Sequence, residues 1–258
     1  MLEIRRFFIA LGYFTRLPVP AWVGWSSSEL NHATRYFPLV GLLVGLLVAG
    51  VFYLASLFLP LRVALLLSMI ASLLITGAFH EDGLADSADG FGGGWGKDQI
   101  LTIMKDSRIG TYGAIALVTA LLMKFLVLDA LGLFTLIALP LAHTLSRTMA
   151  LLVMAAMKYV RQDDSTRAKP VAEGLSKTDW VLGLCLGLAP FIAVLAFDVL
   201  PLRAMLACWL SCIMATLLWA FYIYRRIGGY TGDALGASQQ IAEIATYLAL
   251  CASLIGQG

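Results

Sequence analysis

The chain has 258 residues, of which 60% are hydrophobic and 13% charged, and its mean hydropathy is +0.86. Such values lie outside the range of soluble globular domains, and a net charge of +2 gives no basis for a nucleic-acid partner. Continuous Leu- and Ala-rich runs, without period-2 alternation, argue against a β-barrel and predict an all-α, polytopic helical membrane bundle.

Residues 2–15 begin with Arg5 and Arg6 but lack a long apolar core followed by a small-residue cleavage site. They read as an amphipathic interfacial helix rather than a signal peptide. The extended Leu17-Pro18-Val19-Pro20 stretch ends it, and Trp22 and Trp25 suit the headgroup region. A short helix is expected from Ser28 towards Arg35, which makes residues 1–36 an N-terminal interfacial segment. Apolar stretches follow at 39–59, 63–79, 114–128, 133–159, 181–200, 205–224 and 241–254. A hydrocarbon core of about 30 Å needs roughly 20 apolar residues, so about six or seven transmembrane helices are expected, the last of them short and carrying Glu243. Gly41, Gly45 and Gly50 allow close helix contact. Cys185, Cys208, Cys212 and Cys251 lie in apolar segments without a paired spacing and read as buried thiols.

With the N-terminus inside, nearly every Lys and Arg of the short loops falls on the cytoplasmic side, and only Arg62 and Arg203 remain opposite. No internal repeat is visible, so 1–258 reads as a single membrane domain.

Chemistry concentrates in residues 77–113, which hold Glu81, Asp82, Asp86, Asp89, Asp98 and Asp106, six of the 16 acidic residues. If the helix of 63–79 runs on, Asp82, Asp86 and Asp89 share one face. Three carboxylates on a stripe repel one another, so they read either as a solvated acidic face or as ligands of a hard divalent cation, Mg²⁺ first. The glycine run 90–96 reads as a flexible loop that can approach phosphate. A short helix over 99–106 then delivers Lys105, Asp106 and Arg108, with Asp106 able to complete a metal site and the two basic residues able to hold phosphate oxygens.

Elsewhere, His143 and Arg147 lie one turn apart in an apolar span, where a charge costs about 2.5 kcal/mol or more and needs a partner. That partner is either one of the acids or a substrate phosphate. Lys124 can snorkel to an interface. Asp233 follows a Gly-rich turn and reads as a ligand or a helix cap. Arg161, Arg167 and Lys169 can bind an anionic substrate, although topology alone accounts for basic residues there. An ion-coupled transporter using the acidic cluster as its cation site, and a membrane scaffold for partner enzymes, are the competing classes.

Five segments carry a resemblance: Arg16–Pro20 as RLPVP, Arg35–Gly41 as RYFPLVG, His80–Gly94 as HEDGLADSADGFGGG, Met104–Gly113 as MKDSRIGTYG and Gly229–Gly236 as GYTGDALG. In them the chain closely resembles the cobalamin synthase, or adenosylcobinamide-GDP ribazoletransferase, family over nearly its whole length. Asp82-Gly83-Leu84-Ala85-Asp86 is also loosely similar to the opening of the CDP-alcohol phosphatidyltransferase motif, but Asp86 stands where that motif has Arg. The first resemblance implies a Mg²⁺-dependent, multi-pass inner-membrane enzyme of the last steps of cobalamin biosynthesis, working at the cytoplasmic face. Its substrates would be adenosylcobinamide-GDP and α-ribazole or α-ribazole 5′-phosphate, and GMP would be released. The expected metal ligands are Asp82, Asp86, Asp89 and Asp106, and the expected catalytic groups are Glu81, Asp82, Lys105 and Arg108. Arg16, Arg35, Arg147, Arg167 and Asp233 are expected to bind substrate, membrane lipid surrounds the chain, and a homo-oligomer is left open.

Overall fold

The computed structural model describes residues 1–24, 27–161 and 175–254. Among them lie eleven α-helices and no strand. In chain order these are α1 (Leu2–Phe14), α2 (Ser27–Ala33), α3 (Phe37–Ser56), α4 (Leu61–Thr76), α5 (Phe79–Gly93) and α6 (Lys97–Ile103), then α7 (Thr111–Leu131), α8 (Thr135–Ala156), α9 (Lys177–Ala196), α10 (Leu202–Ile227) and α11 (Gly232–Leu254).

The N-terminal segment behaves as its pattern predicts. Ile9, Ala10, Leu11 and Phe14 of α1 face the bundle while Leu2 and Ile4 stay exposed. Arg35 ties the segment down, its guanidinium pairing with Glu3 at 2.8 Å and with Asp179 of α9 at 3.2 Å. Tyr36 donates to Glu3 at 2.6 Å, and this bond, with Arg35 and Arg6, holds the Glu3 carboxyl below the usual carboxylate range.

Length and composition allow four runs to cross a membrane, or five if the bent pair α4–α5 is one. One of the four, Thr111–Ala156, has 46 residues. A straight helix of that length would reach about 69 Å, more than twice the hydrocarbon thickness. Instead it turns back after Gly132, whose φ of 57° only glycine adopts freely, so that Leu121 of α7 and His143 of α8 line the same small cavity. It therefore contributes two helices.

The core lies where α3, α5, α8 and α11 meet. α8 is buried almost from end to end. It is approached by α3 at Gly41 and Gly45, where an added Cβ would strike the His143 carbonyl and come within 2.5 Å of the Pro140 backbone. Small residues thus set the helix spacing, as in membrane bundles generally. α11 is the polar exception: Ser238, Gln239, Gln240, Glu243 and Thr246 are all buried, so its hydrophilic stripe faces inward. α9 and α10 present most of their surface outward, consistent with a lipid-facing rim.

Candidate active site

The second apolar helix does not run on into the acidic region. α4 ends on Gly77 (φ 64°) and Ala78 (φ 53°), and α5 leaves at 85°. Left-handed geometry is natural for Gly77 but strained for Ala78. The corner is braced by the stretch that follows α1, because the Arg16 backbone N–H donates to the Ile75 carbonyl at 2.7 Å and the Arg16 side chain lies against Gly77. Arg16 is therefore placed at the bend rather than among the acids.

α5 then continues through Gly90 to Gly93, where a flexible loop was expected. Its glycines serve packing: a Cβ on Gly92 would lie 2.5 Å from the Tyr112 ring, and one on Gly90 would lie 2.6 Å from Met104. Contact with α6 and α7 offsets the poor intrinsic helix propensity of glycine.

The acids of α5 diverge. Asp82 is exposed, Asp86 half-buried, and Glu81 and Asp89 buried. Asp89 accepts from the backbone N–H groups of Gly110 at 2.7 Å and Gly113 at 2.8 Å. It thereby caps the start of α7, where the residue at the cap position, Gly110, has no side chain to do so. Asp106 is exposed and forms a two-point pair with Arg108, with distances of 3.1 and 2.7 Å. Arg108 holds the Asp106 carboxyl below its ordinary range. Lys105 sits beside this pair, also exposed. Among the described residues no three His, Cys, Asp or Glu side chains converge as a metal-holding group, so Asp82, Asp86, Asp89 and Asp106 do not form one site in this geometry.

A different acid joins Asp82 and Asp86. Asp233, in the first turn of α11, lies close enough to both for mutual repulsion. Burial holds Asp233 above the usual carboxylate range, Asp82 adds to the rise, and Arg161 opposes it. Thr231, not Asp233, caps α11, accepting from the Ala234 N–H at 3.1 Å. Asp233 is thus left to Arg161, which pairs with it at 2.6 Å and also donates to the Met104 carbonyl at 3.3 Å. Two backbone bonds bring Arg161 there, from Tyr230 N–H to the Lys158 carbonyl at 2.9 Å and from Val160 N–H to the Tyr230 carbonyl at 3.0 Å. The helices behind the corner touch at Gly83, where a Cβ would stand 2.8 Å from the Asp233 carbonyl.

Glu81 points the other way, into a buried polar cluster. Lys124 lies 2.9 Å from Glu243 and 3.7 Å from Glu81. Gln240 donates to Glu81 at 3.0 Å, Gln239 to Glu243 at 2.7 Å, and Tyr247 to Glu243 at 3.1 Å. Lys124 therefore does not snorkel outward. Arg147, only 1% exposed, donates to the His143 carbonyl at 3.0 Å, contacts the His143 ring at 3.0 Å, and lies over Phe37. It forms no ion pair with an acid among the described residues and has no surface to offer a phosphate. Arg35 is likewise committed to Glu3 and Asp179. Arg167 lies outside the described residues. Arg161 was one of several basic residues in its loop, and only the pairing of the two loops singles it out.

The family model described as cobalamin-5-phosphate synthase matches residues 6–251. The chain is 47% identical to the adenosylcobinamide-GDP ribazoletransferase of Shewanella frigidimarina over 97% of its own length and 95% of that protein. It is 48% identical to the protein of the same name from Shewanella woodyi, over 96% of each chain. It is 49% identical to the one from Shewanella sp. strain W3-18-1, over 96% of this chain and 94% of that one. No solved structure matches. The chain belongs to the cobalamin-5-phosphate synthase family, a family of transferases in cobalamin biosynthesis, and the transporter reading is not favoured.

Proposed function

We propose that this family member transfers the adenosylcobinamide phosphate group from adenosylcobinamide-GDP to a ribose hydroxyl of α-ribazole or its 5′-phosphate, releasing GMP. The corner formed by Asp82, Asp86 and Asp233, with Arg161 against it, is our candidate for the reaction centre. The observation that carries this choice is that these carboxylates, from the first half of α5 and the first turn of α11, meet partly open to solvent, while the other acids of α5 are consumed by structural bonds. Lys158 and Arg161 follow α8, and Arg225 and Arg226 lie in the last turn of α10, which supports a corner facing the cytoplasm across the inner membrane.

Mg²⁺ fits this donor set. The oxygens are hard, two helices present them, and their mutual repulsion calls for a cation. The lack of a three-acid cage also suits an ion that keeps several waters and takes one or two carboxylates together with substrate phosphates. Asp86 and Asp233 would hold it, with Asp82 beside them and free of the metal. When bound, it would neutralise charge on the diphosphate.

The chain's own groups do the rest. The attacking ribose oxygen forms a bond to the phosphorus on the cobinamide side, the bond from that phosphorus to the GMP oxygen breaks, and the hydroxyl proton leaves to a carboxylate. Asp82, exposed and without an ion pair among the described residues, is our choice of base, because Glu81 is locked against Lys124 and Gln240. Arg161 can exchange Asp233 for a phosphate oxygen, keeping a charge-assisted bond throughout. Reconstituted protein given both substrates and Mg²⁺ should release GMP in step with corrinoid product. GMP release that is independent of α-ribazole would contradict the transferase reading.

A further inference from the structure

Away from the acidic corner lies a groove of about 490 Å³, or about 920 Å³ with the open space at its mouth counted. Its walls are Leu84 and Ala88 of α5, the stretch of α7 from Tyr112 to Met123, and Ile241 and Ile244 of α11. At 3.6 residues per turn, Leu84 and Ala88 lie on the face of α5 opposite Asp82 and Asp86. Tyr112 and Thr119 bring the only side-chain oxygens to the lining, which holds no side-chain nitrogen. The groove opens outward, because Ile115 and Met123 within it and Val118, Leu122 and Leu126 beside it are all exposed. All five belong to a run long and apolar enough to cross a membrane, so the mouth meets lipid.

The dimensions select the occupant. From Tyr112 to Met123 the helix rises about 17 Å, close to half of a hydrocarbon core of about 30 Å, so the groove runs the depth of one leaflet. Spread over that length, either volume gives a cross-section of roughly 30 to 55 Å², too narrow for an α-helix at least about 10 Å across. An extended hydrocarbon chain, whose carbons pack about 4 Å from their neighbours, fits. Exposed Tyr112 ends the groove, and the segment leading into α7 brings exposed Lys105 and Arg108 against the single acid Asp106. A phenol and an excess of basic charge suit a phosphate at the membrane surface.

We propose that this groove binds one phospholipid, with an acyl chain along α7 and its phosphate at the Tyr112 end. The chain would back α5 and close the wall between lipid and the buried polar cluster. Leu84 follows Glu81 by three residues, Ala120 precedes Lys124 by four, and Ile244 follows Gln240 by four, so each stands one helical turn from a member of that cluster. Such a lipid is held whichever reaction the corner performs.

The test strips the full-length protein of lipid in mild detergent, then adds dioleoyl phosphatidylglycerol, with glycerol 3-phosphate as a probe that lacks the chains. Wild type should retain one phosphatidylglycerol per chain in native mass spectrometry and no glycerol 3-phosphate. Ala116→Trp, which fills the groove, should retain none. Val118→Trp, which adds the same bulk outside the groove on the same helix, should retain it as wild type does. Hydrogen exchange of α5 should slow about tenfold on lipid addition in wild type and stay unchanged in Ala116→Trp. Should Ala116→Trp fail to fold, Ile241→Trp fills the groove from α11. Equal retention by Ala116→Trp and Val118→Trp would mean surrounding lipid only and overturns the site. Absence of retention by wild type overturns it too, as does a pairing of two chains that Ala116→Trp abolishes, which would make a second copy the occupant.

Discussion

Glu81 and Asp82 are neighbours on one helix, yet they belong to different regions. Glu81 enters a buried cluster in which Lys124, Gln240, Gln239, Glu243 and Tyr247 bond to one another, leaving, of their side-chain polar atoms and those of Glu81, only Glu81 Oε2 and Gln240 Oε1 without a hydrogen-bond partner among the described residues. Asp82 enters an open corner of mutually repelling carboxylates with Arg161 opposite. In the first region charge is spent on holding α5, α7 and α11 together. In the second, three carboxylates face one guanidinium, an excess of negative charge that suits a divalent cation placed to meet a diphosphate.

The largest effect expected is on the open corner. Replacing Asp82 and Asp86 together by alanine should lower Mg²⁺-dependent turnover by about 10²- to 10⁴-fold, the usual contribution of a proton-transfer group, with an unchanged melting temperature. The buried cluster should respond in the opposite manner. Lys124→Ala leaves Glu243 buried without its cation and should destabilise the fold by about 3–5 kcal/mol, read by thermal unfolding in detergent. Pairing Lys124→Met with Glu243→Leu should recover much of that loss, and failure to recover it would mean that the cluster does more than hold helices together.

Asp89 tests the boundary between the two regions. Asp89→Ala uncaps α7 and should cost about 2 kcal/mol, with activity falling only as far as the folded fraction does. A loss of turnover at full stability would move Asp89 into the reacting set.

Glu3 gives a pH handle on a third, partly exposed carboxylate. Its folded pKa is depressed, first by Tyr36 and then by Arg35 and Arg6. The stability it lends the N-terminal segment is therefore present above the unfolded value of about 4.3 and lost as pH falls through the folded one. Hydrogen exchange of α1 should rise over that acid range, and Glu3→Gln should remove the dependence. Asp106→Ala should change least, because the Asp106–Arg108 pair is exposed.

The helical bundle and the importance of α5 were legible from apolar run lengths and acid spacing. The direction of each acid was not, because partners such as Lys124 and Glu243 lie 119 residues apart in sequence and no local pattern joins them. The bend at Gly77–Ala78 was hidden for a related reason, since alanine in a left-handed conformation has no sequence signature. The glycine run misled because helix propensity was set against contacts with Met104 and Tyr112 that only the fold supplies. Asp233 was visible as a candidate, while its link to Arg161 depends on the pairing of Tyr159 with Tyr230.

The most direct measurement sets Asp82→Asn beside Glu81→Gln, with melting temperature and Mg²⁺-dependent GMP release recorded for each. The expected result is a stable, inactive Asp82→Asn and a destabilised Glu81→Gln that still turns over at temperatures where it is folded. Near-normal turnover by Asp82→Asn at saturating Mg²⁺, or an inactive Glu81→Gln with wild-type stability, would contradict the division of the two regions.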